Sequence, residues 1–487
     1  MPLRLRAELE LQAADDRGGK LLDPLFERTV TLGPTGVALA RALDGTRDLD
    51  PLIHELLAAG FVRGTIEDTL RCLTLLHLIE GIGDPVRDRV RAIWAGEVVL
   101  EHRALPGVRF ECQGSGMCCR SYRLGPLTAE EVASLSALPL RETFPDLPDG
   151  ELFVQLDAKL YLRSIESRCV FLQADRRCGI HASFGADAKP GVCQTYPITS
   201  KRTFQAALVY NNQQCASHFV SQDRGPPLIE SAHLLRQRLT GRITLFHPIV
   251  FVREDTPVDY AHFLELEAAL RHVVGEGSPF SQLAHALDVY DSFVAAARSF
   301  PLGSDPAPVL AGWRASIATQ PTSAQRACVD ADRDATLATL DSLSEQLASF
   351  LANLDRADAG DRDMVPLVNE LMPLLDALRV RARRRSSITA VLSNEVASAL
   401  RTSLAQRFQG DLSLPEDRPL SALGQAALAI ALGFAGSPRD GSARAADLSR
   451  GHTLANRVLP PFTTPMFREH PDRVRALIAT LESLCAG

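Results

Sequence analysis

Apolar residues recur at three- and four-residue spacing through most of the second half of the chain. This is the period of a helix with one buried face. The helices it predicts are 258–273, 279–299, 323–354, 364–385, 388–408 and 473–484. The alanine-rich run 420–436 is shorter than the about 20 strongly apolar residues of a membrane span, so we interpret it as a buried helix. The pattern predicts an all-α domain over 223–487.

Residues 1–104 have a mixed pattern. A β-rich alternating stretch at 26–32 predicts a strand, and helical stretches follow at 37–43, 51–58 and from Thr65 onward. The last helix is predicted to end at 79–82, and a short terminal strand follows. This order predicts a small α/β domain. Together with Gly36 and Gly45, it resembles the PqqD-like peptide chaperones over about residues 20–85, which implies a winged-helix fold. That resemblance implies binding of a leader peptide; the alternative is a module used for packing or partner docking.

Residues 105–222 show little long-range periodicity. The stretch 128–138 predicts a helix capped by Thr128, and 152–162 alternates as a hairpin strand would. The remainder reads as loops, which is expected where bound metal replaces a hydrophobic core. The whole chain is therefore predicted to be α+β and mostly α-helical, with a cysteine-rich metal domain between a winged-helix-like domain and a helical domain.

Net charge and the absence of targeting signals in the sequence bear on the class of partner and on the compartment. The net charge of −7 over 487 residues argues against nucleic acid as a main partner, and the arginine run 379–385 is interpreted as a solvated helix face. No predicted segment spans a membrane, and residues 1–20 lack the apolar core of a secretory signal. We therefore expect a cytoplasmic protein whose partner is a protein or peptide substrate.

Cysteine usage carries the chemical signal, because cytosolic thiols stay reduced and clustered ones bind metal or catalyse. Seven of the ten cysteines fall in one stretch: Cys112, Cys118, Cys119, Cys169, Cys178, Cys193 and Cys215. Thiolates suit zinc, copper(I) or iron–sulfur clusters, and seven exceed the four that one tetrahedral zinc or one four-iron cluster takes. Either there are two sites or some thiols have another role. The scattered Cys72, Cys328 and Cys485 are interpreted as core or surface thiols.

Local sequence adds detail around the adjacent pair. Residues in extended chain point in opposite directions, so Cys118 and Cys119 need not serve the same metal. Gly114 and Gly116 allow unusual backbone dihedrals and a close approach to a metal. His181 and His218 each lie three residues after a cysteine, which is metal-ligand spacing, and we interpret both as packing or outer-sphere residues.

The segments FECQGSGMCC, CVFL…CGIH and CQTYP resemble the YkgJ-type cysteine-cluster family of zinc- or iron-chelating proteins. Ser115 stands where that family's C-x-x-C-G-x-C-C pattern has its second cysteine. Flagellin lysine N-methylases are similar in the later part, through Cys193, Tyr196 and Pro197, and through Cys215 after an apolar strand at 206–210.

The methylase resemblance implies a four-iron, four-sulfur cluster and methyl transfer from S-adenosylmethionine to a protein lysine. Such a reaction needs a neutral amine, which a desolvating pocket favours. The residues considered for the pocket wall are Tyr196, Tyr210, Asp157 and Glu166. Two alternatives stay open: a non-catalytic zinc- or iron-binding protein, and a peptide maturase whose leader-binding module is the N-terminal domain.

Overall fold

The structure is a computed structural model that describes residues 2–485 except 16, 105–107, 157, 167, 212, 216–217, 232–248, 254–255, 276–277, 301–305, 320–332, 354–358, 385–399, 402, 405–418, 436–444 and 468–469. The predicted helix 388–408 lies largely outside the described residues, as do Asp157 and Cys328. The described part is mostly helical with several small sheets, which confirms the predicted fold class.

The N-terminal region is a three-stranded antiparallel sheet covered by helices. Its strands are β1 (Glu10–Asp15), β2 (Gly18–Asp23) and β3 (Arg28–Leu32) in that spatial order. Its helices are α1 (Pro34–Ala42), α2 (Leu49–Ala58), α3 (Arg63–Leu75) and α4 (Asp84–Trp94). The predicted strand at 26–32 and the three helices after it are confirmed. After the third of these helices, where a short terminal strand was expected, Ile79 forms an isolated bridge with Leu5.

A buried ion pair joins α4 to this sheet. Both Arg87 and Asp23 are fully buried, and the Arg87 guanidinium donates to the two Asp23 carboxylate oxygens at 2.9 and 3.0 Å. Burial would raise the pKa of Asp23, but hydrogen bonding from Arg87 and the charge of Arg28 hold it below its ordinary value. Because each buried charge has its partner, the desolvation cost is offset.

The cysteine-rich region is organised by short strands. β4 (His102–Ala104) pairs in parallel with β10 (Ala207–Asn211), which pairs antiparallel with β9 (Ile198–Arg202). The hairpins are β5 (Phe153–Leu156) with β6 (Lys159–Leu162) and β7 (Ser164–Ile165) with β8 (Arg168–Cys169). The alternation at 152–162 thus correctly predicted a hairpin.

Six helices of this region are short. They are α5 (Cys118–Ser121), α6 (Ala129–Ser136), α7 (Leu140–Thr143), α8 (Gly179–Phe184), α9 (Gly191–Thr195) and α10 (His218–Arg224). At the start of α6, the Thr128 hydroxyl accepts from the Glu131 backbone N–H while the Glu131 carboxylate accepts from the Thr128 N–H. This capping box confirms the predicted helix and its cap.

The remaining region begins with a hairpin of β11 (Ile249–Arg253) and β12 (Thr256–Asp259). The prediction of an all-α domain over 223–487 is therefore wrong at its start, where β-branched residues favour paired strands. The helices that follow are α11 (Tyr260–Val273), α12 (Pro279–Arg298), α13 (Ala307–Ala318), α14 (Arg333–Ala352), α15 (Ala359–Arg384), α16 (Pro419–Ala435), α17 (Ala445–Val458), α18 (Pro460–Phe467) and α19 (Pro471–Cys485).

Helix α16 is buried along its length, as its uniform apolarity predicted. Small residues let its backbone approach neighbouring helices: an added Cβ at Gly451 of α17 would lie 2.2 Å from the carbonyl oxygen of Leu432 in α16. The main apolar core around these helices also takes in Phe26, Met117 and Phe219. One core therefore joins all three predicted domains.

Two further sequence predictions concern the surface and the membrane. In the arginine run at the end of α15, Arg379 and Arg383 pair with Asp341 of α14, and Arg379 also with Asp376. These contacts are those of an ion-paired helix face. In the part of the chain that the structure describes, no helix has both the length and the apolarity to cross a membrane.

Candidate metal centre

The adjacent cysteines sit at the start of a short helical turn. Gly114 and Gly116 have φ of 65° and 66°, a region that strongly favours glycine. A Cβ on Gly116 would meet the Arg176 carbonyl oxygen at 3.0 Å. The tight turn then continues, since the Cys119 N–H donates to the Gly116 carbonyl. The expectation of unusual dihedrals at both glycines is confirmed.

This turn places the two sulfurs on one side. The Sγ atoms of Cys118 and Cys119 lie 3.7 Å apart, so the expectation of extended chain with opposed side chains is wrong. Four sulfurs bound at about 2.3 Å to one tetrahedral zinc would be separated by about 3.8 Å. The adjacent pair therefore has a separation suited to two ligands of one metal.

Three more cysteines come from separate elements. Cys169 ends strand β8, Cys178 immediately precedes helix α8, and Cys193 lies within α9. An isolated bridge between Leu172 and Cys178 folds the intervening loop back on itself. All three side chains pack in the same apolar cluster as Cys119.

Five thiols interact electrostatically with one another: Cys118, Cys119, Cys169, Cys178 and Cys193. The hydrogen bond with Cys119 lowers the pKa of Cys118 to about 7, while that bond, together with burial, raises the pKa of Cys119. Burial raises the pKa of Cys169 to about 12 and also raises that of Cys193. Several buried thiolates cannot coexist here without a compensating cation.

Two cationic side chains face this cluster. Lys189 and Arg457 both favour the thiolate form of Cys118, and the Lys189 ammonium also donates to the Cys193 carbonyl oxygen at 3.0 Å. Arg457 belongs to helix α17, and its guanidinium carbon lies 3.5 Å from the centroid of the Tyr122 ring. These charges therefore favour the thiolate form of Cys118, whereas the pKa values of Cys119, Cys169 and Cys193 stay raised.

Cys112 and Cys215 stand apart from the five. The Cys112 side chain is exposed, before the glycine turn. Cys215 is buried, its carbonyl oxygen accepts from the Thr453 hydroxyl at 3.0 Å, and its thiol interacts electrostatically with Tyr122 and Tyr196. The structure thus brings five of the seven predicted ligands together, whereas Cys112 and Cys215 belong neither to that apolar cluster nor to the adjacent pair.

The donor set fits a thiolate-bound metal in kind and charge. Soft sulfur donors suit zinc or iron–sulfur clusters, and the nearby cations would offset the negative charge of several thiolates. Among the residues that the structure describes, no group of three or more His, Cys, Asp or Glu side chains is placed to hold a metal ion. These thiols would have to come closer together to bind one.

Residues 111–216 match the CxxCxxCC family model. Its description is "Putative zinc- or iron-chelating domain", and the match contains all seven clustered cysteines while covering less than a quarter of the chain. This bears out the cysteine-cluster resemblance. No curated protein matches the chain, and no solved structure matches it. The flagellin methylase and PqqD-like resemblances receive no support from these comparisons.

Two tyrosines of the CxxCxxCC segment, Tyr122 and Tyr196, contact each other. The Tyr196 hydroxyl donates to the Gln214 carbonyl oxygen and the Tyr122 hydroxyl donates to the Gln214 side-chain oxygen, both at 2.5 Å. The rings meet edge to face with centroids 5.0 Å apart. Tyr210 is buried in β10, whereas Glu166 lies on an exposed turn and is not placed as a wall residue.

The two histidines differ in environment. His181 is exposed in α8. His218 is fully buried, stacks on His452 with ring centroids 5.9 Å apart, and among the described residues neither of its ring nitrogens has a hydrogen-bond partner. Burial lowers the pKa of His218 to about 3, so it is neutral.

Sequence reasoning missed Lys189, Arg457 and Tyr122. Lys189 and Tyr122 lie inside the CxxCxxCC segment, close in sequence to clustered cysteines. Their place in the sequence could have indicated that they lie near the site. No spacing signal links Arg457 to the cysteines, because helix α17 follows them by more than two hundred residues.

Proposed function

We propose that this chain is a metal-binding protein in which the five gathered thiols hold one thiolate-ligated centre of zinc or iron. The observation that carries the proposal is that the Sγ atoms of Cys118 and Cys119 lie 3.7 Å apart while Cys119, Cys169, Cys178 and Cys193 pack in one apolar cluster. Four would ligate a zinc ion or a four-iron cluster. The fifth thiol would remain unligated beside the four ligands.

The chain's own residues prepare the site. Burial excludes water from Cys169, and Lys189 offers positive charge beside Cys118 and Cys193. When bound, a zinc would act as a structural staple or Lewis acid, and an iron–sulfur cluster would supply redox chemistry or a coordination site for a small ligand.

Metal analysis tests the proposal. Protein purified without oxygen should carry about one zinc, or about four iron and four sulfide with broad absorbance near ~400 nm. Cys193→Ser should lose most of this metal. Cys72→Ser, which changes a half-buried thiol in α3, should retain it. A native protein that stays free of metal under supplementation with zinc and iron would refute the function.

The catalytic form of the proposal is methyl transfer to a lysine of a protein or peptide. It is supported by the sequence resemblance through Cys193, Tyr196 and Pro197. In that reaction the neutral lysine nitrogen bonds to the methyl carbon of S-adenosylmethionine, the carbon–sulfur bond breaks, S-adenosylhomocysteine leaves, and the amine releases a proton.

Calorimetric titration with S-adenosylmethionine separates the catalytic form from the non-catalytic one. Binding by the iron-loaded protein, followed by appearance of methyl-lysine in a peptide library, would support catalysis. A colourless zinc protein with no affinity for S-adenosylmethionine would leave a metal-stapled scaffold and eliminate the methylase.

A further inference from the structure

We infer that Arg457 is a positioning residue of this metal centre, so that metal capture by the CxxCxxCC segment is coupled to docking of helix α17. The inference rests on the proposed metal-binding function and extends it beyond the matched residues. It assigns part of the site to a helix that lies outside 111–216.

The first support is the place of the guanidinium. Arg457 is only 8% exposed, and its charged group lies over the face of Tyr122 at 3.5 Å from the ring centroid. Tyr122 follows Cys119, the second of the adjacent cysteines, by three residues. Burying a guanidinium is costly unless it meets negative charge or an aromatic face. The Tyr122 ring supplies that face.

The second support is that one face of α17 is fitted to the end of the CxxCxxCC segment. Ser449, Thr453 and Arg457 recur every four residues, which places them on the same helix face. The Ser449 hydroxyl accepts from the Phe219 backbone N–H at 3.2 Å, and the Thr453 hydroxyl donates to the Cys215 carbonyl at 3.0 Å. Alongside them, the ring of His452 packs on that of Phe219 with centroids 4.9 Å apart.

The third support is charge balance. Four thiolates around a divalent zinc leave a net charge of −2, and a buried anion gains most from a cation held nearby in a medium of low dielectric. Two cations lie close to the cysteines: the Lys189 ammonium donates to the Cys193 carbonyl oxygen at 3.0 Å, and Arg457 lies over Tyr122, three residues after Cys119. Lys189 comes from within the CxxCxxCC segment, whereas Arg457 is present only when α17 is docked. Metal binding and docking should therefore strengthen each other by linkage.

The test compares substitutions on one helix. Full-length native, Arg457→Gln, Arg457→Lys and Arg450→Gln proteins would be loaded with zinc, and the chelator concentration that removes half of the metal would be measured. Arg450 is the matched control, since it lies on α17, is largely exposed and pairs with Glu370 at 3.1 Å. Far-ultraviolet circular dichroism would verify that each variant is folded.

Arg457→Gln should release zinc at a chelator concentration at least about tenfold lower, as expected for loss of a group supporting metal ligands. Arg457→Lys should recover part of the retention because it restores the charge, and Arg450→Gln should match the native protein. Equal retention by Arg457→Gln and native protein would overturn the inference while leaving the metal-binding function standing. A native protein without metal would instead refute the function itself.

Hydrogen exchange on the native protein gives a second measurement that needs no variant. Zinc loading should slow exchange of backbone amides in 445–458, while exchange in the remote helix α2 should not change. If zinc slows exchange around the cysteines but leaves 445–458 unchanged, docking and metal capture are independent and the inference fails.

Discussion

Replacing Gly451 with alanine should loosen the contact between helices α16 and α17. The new Cβ would lie 2.2 Å from the Leu432 carbonyl oxygen, 2.6 Å from its carbonyl carbon and 2.9 Å from the Gly433 Cα. These are backbone atoms, so no side chain can rotate to make room. Ordinary carbon–oxygen contact needs about 3.3 Å or more, and the helices would have to separate by about 1 Å.

The expected magnitude is a balance of two effects. Overpacking of a tightly fitted core costs about 1–3 kcal/mol, and the backbone clash places Gly451→Ala near the upper end. Alanine regains about 1 kcal/mol through its better helix propensity. The net loss of unfolding free energy should be about 2 kcal/mol.

Gly312 provides the matched control. It also lies within a helix, α13, but nothing stands within 4 Å of an added Cβ, and the position is exposed. Gly312→Ala should therefore raise stability by up to about 1 kcal/mol. Urea unfolding followed by circular dichroism would compare both variants with the native chain. If Gly451→Ala proved as stable as Gly312→Ala, the close approach of the two helix backbones would be refuted.

Three other outcomes are expected. Arg87→Met should lower the free energy of unfolding by about 3 kcal/mol, because it removes a partner of the buried Asp23 carboxylate. A loss of stability in thermal denaturation no larger than that of ordinary surface substitutions would contradict this. The folded-state pKa of His218, about 3, lies below its unfolded value of about 6.5. The stability that the neutral His218 contributes is therefore complete above pH 6.5, and it falls by about 1.4 kcal/mol per pH unit as the pH decreases toward 3. Urea unfolding at pH 7.5 and 5 should show a smaller decrease for His218→Phe than for native protein, and equal decreases would contradict the argument. The Cys112→Ser protein should keep its full metal content by elemental analysis, since this exposed thiol lies outside the five gathered cysteines. A lower metal content would show that Cys112 is a ligand.

How far sequence predicted the fold depends on whether the deciding contacts are local. Helix α16 was predictable because nearly every side chain is apolar, and α6 because Thr128 and Glu131 cap it within four residues. Strands β1 and β2 were not predicted, because their charged and glycine-rich sequences form strands through pairing, β1 with β2 and β2 with β3. Strand formation depends on such partners more than on the preference of the segment itself.

The residues of the site likewise differ in whether local sequence could predict them. Clustering and thiol chemistry predicted the cysteine set, but spacing could not separate the five gathered thiols from Cys112 and Cys215. The adjacent pair was misjudged because α5 is a short turn set by glycine dihedrals rather than by apolar periodicity. Arg457 was beyond reach, since its partnership with Tyr122 arises only from tertiary packing.

The parallel pairing of β4 with β10 has a consequence for how metal is acquired. His102 pairs with Ala207 and Ala104 with Val209, so the chain that carries the five gathered cysteines leaves one strand of a small sheet and returns to its neighbour. Closing a loop of about 100 residues costs on the order of 4–5 kcal/mol of chain entropy. Backbone hydrogen bonds and the surrounding core meet that cost during folding. An arriving ion therefore encounters thiols at high effective concentration, and its binding energy is left for ordering side chains within a loop that is already closed.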